Sequence, residues 1–149
     1  MGIDDNSNEL NPRTMVLEAS VQIESNISDI LGYLLGIDVE ASRSLSCKST
    51  ALSFNAKLNL LLDMNILNKP EIEKFVIFSQ IRNQFAHNVR VVSFDTCINE
   101  IEGLLNRFRK LYDILELDTE FDAQSYFIRI LQDIVLISSK IIKEIKNKK

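Results

Sequence analysis

Only four glycines and two prolines punctuate the 149 residues of this chain, and there is no tryptophan. That scarcity constrains the fold more than any other feature. A β-sandwich or barrel turns its chain roughly every 8–12 residues and relies on these residue types to do so. Collagen-like and low-complexity chains need many more of them. Helices joined by few loops are what remains. Hydrophobic residues at 46% and charged residues at 26% are ordinary for a globular protein, and the length suits one domain.

Charge narrows the function classes. Seventeen basic residues against 21 acidic ones leave a net charge of −4. A dedicated duplex-DNA binder draws most of its affinity from phosphate neutralisation and usually carries a basic footprint. Duplex DNA is therefore not the expected partner. Cys47 and Cys97 are too few and too far apart for a disulfide scaffold or a four-ligand zinc site, and read as reduced, mostly buried thiols in a cytoplasmic protein. The start MGIDDNSNELNPRT is polar and acidic, unlike a signal peptide. Asn6 stands where a myristoylation signal places Ser or Thr. The apolar runs Phe75–Phe78 and Ile134–Ile137 are too short for a membrane span, so no membrane partner is expected.

Apolar periodicity places the helices. Residues 1–12 read as a flexible N-terminal arm, and residues 13–149 as a single helical-bundle domain. A first helix is expected over Arg13–Leu35, with Ala19, Ile23, Ile27, Ile30 and Leu34 on one stripe and Gly36 as its C-cap. Residues 37–51 suit a short helix or a loop. Leu52–Met64 forms a helix with Phe54, Leu58, Leu61 and Leu62 inward. Pro70 opens another, with Glu71 and Glu73 in its first turn; it carries Ile72, Phe75, Val76, Ile81 and Phe85 to about His87. Val89–Val92 is too brief to be a strand. Ser93 caps a helix that runs to about Leu115, with Ile98, Ile101, Leu105, Phe108, Leu111 and Leu115 at near-heptad spacing. Asp118 or Thr119 caps the last helix, Glu120–Lys146, whose stripe is Phe127, Ile130, Leu131, Ile134, Ile137, Ile141 and Ile145, interrupted by Ser138. The closing KIIKEIKNKK suits a solvated helix end, or else an anion contact. The fold class is all-α, a bundle of four to five helices.

The usual catalytic patterns are missing. There is no glycine-rich phosphate loop, no G-x-S-x-G elbow and no H-E-x-x-H. A single histidine cannot build a histidine-rich metal site, and no cofactor is implied. The unusual stretch is Gln80 to Asn88, QIRNQFAHN, which places Arg, Asn and the only His at the end of an apolar helix. Asn83 and His87 are four apart and share a face. Arg82 lies about 140° round the helix from His87, within reach of a long side chain.

Those groups suit phosphodiester chemistry. An imidazole moves protons near neutrality. A guanidinium grips phosphate in bidentate fashion and stabilises charge developing on it. RNA supplies its own nucleophile, the ribose 2′-hydroxyl, so no metal is needed. Cleavage wants a base and an acid, and one histidine per chain points to a second copy across a two-fold axis. The alternative is structural: His87 bonds the last carbonyls of its helix, and Arg82 and Asn83 form a buried polar network.

IRNQFAHN, from Ile81 to Asn88, resembles the signature of HEPN domains, in which an Arg is followed four to six residues later by a His and commonly has a polar residue directly after it. Here Arg82, Asn83 and His87 match. Ser53–Asn88 with Ser93–Ile98 is more narrowly similar to mannitol operon repressor-like proteins, with a Ser-Phe-x-x-Lys helix ahead of an I-R-N-x-F-A-H ending. Lys57, Arg82, Asn83, Phe85, Ala86 and His87 carry that likeness, which covers about a third of the chain. The resemblance implies an all-α bundle and one of two functions. Many HEPN proteins are metal-independent endoribonucleases, acting as toxins or in phage defence, whose dimers line a cleft with two such motifs. The repressor-like branch is regulatory and need not cleave RNA. The implied partners are RNA, a second copy of the chain, and an antitoxin or regulatory protein. The implied catalytic residues are Arg82 on the phosphate, Asn83 as orienter and His87 as general acid/base. No recognition helix rich in Arg, Lys, Asn and Gln is present for DNA.

Overall fold

A computed structural model describes residues 11–113 and 120–148. Among them every regular element is a helix: α1 (Pro12–Leu35), α2 (Phe54–Asp63), α3 (Lys69–His87), α4 (Phe94–Glu100), α5 (Leu104–Tyr112) and α6 (Glu120–Asn147). None is long and apolar enough to cross a membrane. Residues 1–10, Leu115, Asp118 and Thr119 lie outside the described residues.

Local caps explain the first three helices. Asn11 accepts from the Thr14 N–H at 3.0 Å, so Asn11 and Pro12 belong to the start of α1 rather than to an arm. Ser53 does the same for α2 through Ala56. Asn68 and Glu71 form a reciprocal capping box at α3, at 3.0 and 2.9 Å. Gly36 ends α1 at φ 67°. Gly32 has a different role. A Cβ there would lie 2.6 Å from Val39 Cγ2 and 2.9 Å from the Ile37 carbonyl oxygen. Its bare backbone lets the chain fold back against α1. Residues 37–53 form turns and bends rather than a helix, and only Leu45 and Ser46 of that segment are buried.

The single helix expected from Ser93 to Leu115 is two helices. Ile101 is extended and Gly103 takes φ 76°, a left-handed conformation that glycine accepts without steric cost. The stripe hid the break because core positions continue across it. Ile98, Leu104 and Phe108 are buried, whereas Ile101, Leu105 and Leu111 are only partly covered. At the other end of α4, the Glu120 carboxylate accepts from the N–H groups of Phe94 and Asp95 at 2.9 and 2.7 Å. The start of α6 thereby caps α4.

One cluster of buried residues joins these helices. Phe54, Phe78, Phe127, Phe94 and Phe85 follow one another at centroid separations of 6.1, 6.0, 4.7 and 5.4 Å, linking α2, α3, α6 and α4. The α6 stripe holds as expected at Phe127, Ile130, Ile134, Ile137 and Ile141, and Ser138 is tolerated because its hydroxyl donates to the Ile134 carbonyl at 2.8 Å. Of the two thiols only Cys97 is buried, and Cys47 is exposed because it follows buried Ser46 within the turns after α1. Burial, with the Glu120 charge adding, pushes Cys97 up to about 12.

Candidate functional site at the end of α3

Helix α3 ends at His87, and Asn88 turns extended while its N–H still reaches the Gln84 carbonyl at 2.9 Å. The following turn is held from α1. Arg13 Nη2 donates to the Val91 carbonyl at 3.1 Å and more weakly to that of Asn88 at 3.4 Å. Arg90, exposed in the same turn, adds another cation. Two carboxylates, Asp95 and Glu120, follow at the start of α4.

Arg82 lies part-buried above Phe54, its guanidinium carbon 5.2 Å from the ring centroid. Its Nη1 donates to Asn83 Oδ1 at 3.2 Å. Its Nε is buried and has no hydrogen-bond partner. No carboxylate forms an ion pair with Arg82 among the described residues. Asn83 Oδ1 also accepts from Asn55 Nδ2 at 3.3 Å, and the Asn83 amide returns a long 3.5 Å contact to Asn55 Oδ1. Ser79 Oγ donates to the same Asn55 oxygen at 3.1 Å.

Of the three residues singled out in the sequence, Arg82 and Asn83 are joined directly, and His87 stands one turn beyond Asn83. His87 is exposed and makes no hydrogen bond among the described residues. The carbonyl contacts beyond the helix end are made by Arg13, so His87 does not serve there. An exposed imidazole can exchange protons with a docked molecule. A guanidinium can donate to an oxyanion, but the Arg82 Nε is closed to solvent and reaches one only if the side chain shifts. Asn83 is held by partners from both helices, so its amide is fixed rather than free to swing.

Sequence reasoning missed Asn55, Ser79 and the platform role of Phe54. Ser79 carried a faint signal, since it lies four residues before Asn83 on α3 and so shares its face. Asn55 carried none, being 28 residues from Asn83 and brought there by packing. Lys57, named above only within the family likeness, is 2% exposed and pairs with Glu24 at 3.3 Å on α1. Comparison with protein-family models, with curated proteins and with solved structures finds no match.

Proposed function

We propose that this chain is a cytoplasmic HEPN-like protein that acts on RNA as a metal-independent endoribonuclease of toxin or defence type, with Arg82, Asn83 and His87 as its site. The observation that carries this reading is the buried, unpartnered Arg82 Nε on a cation that no carboxylate neutralises. A phosphodiester oxygen supplies the acceptor that Nε lacks once the Arg82 side chain shifts to uncover it. Asn83 holds the guanidinium in place, and His87 is accessible to take the 2′-hydroxyl proton. The oxygen attacks phosphorus, the 5′-oxygen leaves, and a 2′,3′-cyclic phosphate remains. A second copy across a two-fold axis brings the imidazole that protonates the leaving oxygen.

Single-stranded RNA incubated with the purified chain in excess chelator tests this. Cleavage to 2′,3′-cyclic ends is expected. His87→Ala should abolish it with little change in Tm, because the side chain is exposed and unbonded. Arg82→Lys should cost on the order of a hundredfold or more, since a point charge cannot replace the planar fork.

A second reading has its own supporting observation. The Arg82, Asn83, Asn55 and Ser79 network ties α2 to α3 and gives these residues a structural use. In that case the chain is a non-catalytic regulatory or interaction protein of the mannitol operon repressor-like type, or the partner of a toxin. Inert wild type on varied RNAs, with Arg82 and Asn83 variants losing stability, would decide for it.

A further inference from the structure

A second polar site lies on the other side of α2 and shares no residue with the Arg82 cluster. Helix α1, the turns after it and α2 line a groove of about 560 Å³ that is open to solvent, with Val21, Asp29, Glu40, Cys47 and Lys48 exposed along it; the volume is within the roughly 300–1,000 Å³ usual for small-molecule sites. Its walls combine apolar Val21, Val39 and Leu45 with Glu24, Asp29, Glu40, Lys48, Lys57 and Ser46. Lys57 Nζ is spoken for on two sides, by Glu24 at 3.3 Å and by the Ser46 carbonyl at 3.2 Å. An ammonium has three N–H groups, so one is left. Ser46 is 5% exposed, and its hydroxyl, buried at the groove wall, has no partner. A buried hydroxyl without a hydrogen bond costs roughly 1–3 kcal/mol, so this end of the groove calls for a polar guest.

The chemistry of that guest follows from the donors and charges. The two donors left over are the buried Ser46 hydroxyl and the third N–H of Lys57, whose charge Glu24 already neutralises. A neutral oxygen satisfies both without a second anion crowding Glu24, and a hydroxyl can also return its proton to that carboxylate. Asp29 lies five residues beyond Glu24 on α1, a rise of about 7.5 Å. Glu40 lines the same groove and Lys48 is the opposing cation. With the Lys57–Glu24 pair balanced, Asp29 and Glu40 against Lys48 leave one net negative charge. The apolar walls suit a short hydrocarbon body.

We infer that this groove binds a small, singly charged organic amine bearing a neutral oxygen acceptor, with the oxygen at Ser46 and Lys57 and the ammonium toward Asp29 and Glu40. An amino alcohol is the simplest such molecule, and aminopentanol is a flexible probe of that class.

Titration calorimetry of the full chain with aminopentanol is the test, with pentanediol and aminopentanoate as comparisons. One saturable site per chain is expected for the amino alcohol, and weaker binding for the diol, which lacks the cation, and for the carboxylate, which crowds Glu24. Ser46→Ala should weaken binding about tenfold while the ligand-free Tm stays level or rises, because an unpartnered hydroxyl is removed. Asp29→Asn with Glu40→Gln should weaken it similarly. Alkylation of Cys47, an exposed thiol on the groove lining, should slow as the site fills. No saturable heat from aminopentanol would overturn the inference and leave a bound water as the guest. Equal binding of diol and amino alcohol, unchanged affinity in Ser46→Ala, or a clear fall in its ligand-free Tm would overturn it too.

Discussion

Two cations flank α2, and the chain treats them differently. Lys57 on one side is 2% exposed and has the Glu24 carboxylate and a backbone carbonyl on its ammonium. Arg82 on the other side rests on Phe54, bonds only an amide, and keeps a buried Nε without an acceptor. A buried charge persists when it is paired and hydrogen-bonded. Lys57 meets that condition within the chain. Arg82 does not, and its Nε stays buried without an acceptor. The difference separates a charge that helps hold α1 to α2 from one that has no counter-charge within the described residues, which neither residue type nor spacing reveals.

The sharpest way to break that contrast is to remove the anion on the Lys57 side. Glu24→Gln should cost about 3 kcal/mol, the low end for orphaning a buried ion, because Glu24 is itself one-third exposed and water partly replaces it. Denaturant unfolding measures this. Lys57→Met should cost less, about 1 kcal/mol, since the carboxylate left behind can be hydrated and the stem is replaced by apolar volume. Arg82→Met should also stay within about 1 kcal/mol, because no carboxylate is orphaned. A cost for Arg82→Met equal to that for Glu24→Gln would erase the distinction.

Asn55→Ala should cost about 1–2 kcal/mol, for it removes the shared partner of Asn83 and Ser79. It also frees Asn83, so RNA cleavage should fall with it. Full cleavage in Asn55→Ala would show that the amide pair serves packing alone. The smallest effect concerns a third cation, Lys74, which pairs with Asp133 at 3.0 Å. Burial works to raise the Asp133 carboxyl, but the Tyr112 hydroxyl at 2.6 Å, Lys74 and Arg129 outweigh it and hold it below its ordinary 3.8. A depressed folded pKa means a contribution that is present above the ordinary value and is lost as pH falls through the folded one. Asp133→Asn should therefore destabilise at neutral pH and progressively less below about pH 4. Arg82→Met should show no such acid dependence, having no carboxylate partner to titrate.

The expected helix starts at Arg13, Leu52 and Pro70 fall within two residues of the observed ones. Of the residues Asn11, Ser53, Asn68 and Ser93, which each accept from an N–H three residues on, only Ser93 stood out as a cap in the sequence, although a short-range bond leaves a short-range trace there. The site was half legible. Arg82, Asn83 and His87 stood out as polar residues ending an apolar helix, but their supports on α2 did not. The break at Ile101–Gly103 was missed because a continuous apolar stripe masked a single left-handed glycine.

By itself the sequence determined that this chain is helical, where most of its helices begin, and which stripes turn inward, because propensity, capping and periodicity act within a few residues. Only the tertiary structure decided that Asn55 meets Asn83, that Glu120 caps α4 from the start of α6, and that Glu24 reaches Lys57 while no carboxylate reaches Arg82. Each of those contacts joins residues more than two dozen positions apart. The partners come together only once the helices pack, and packing then sets whether a buried charge is neutralised inside the fold or left without a counter-charge.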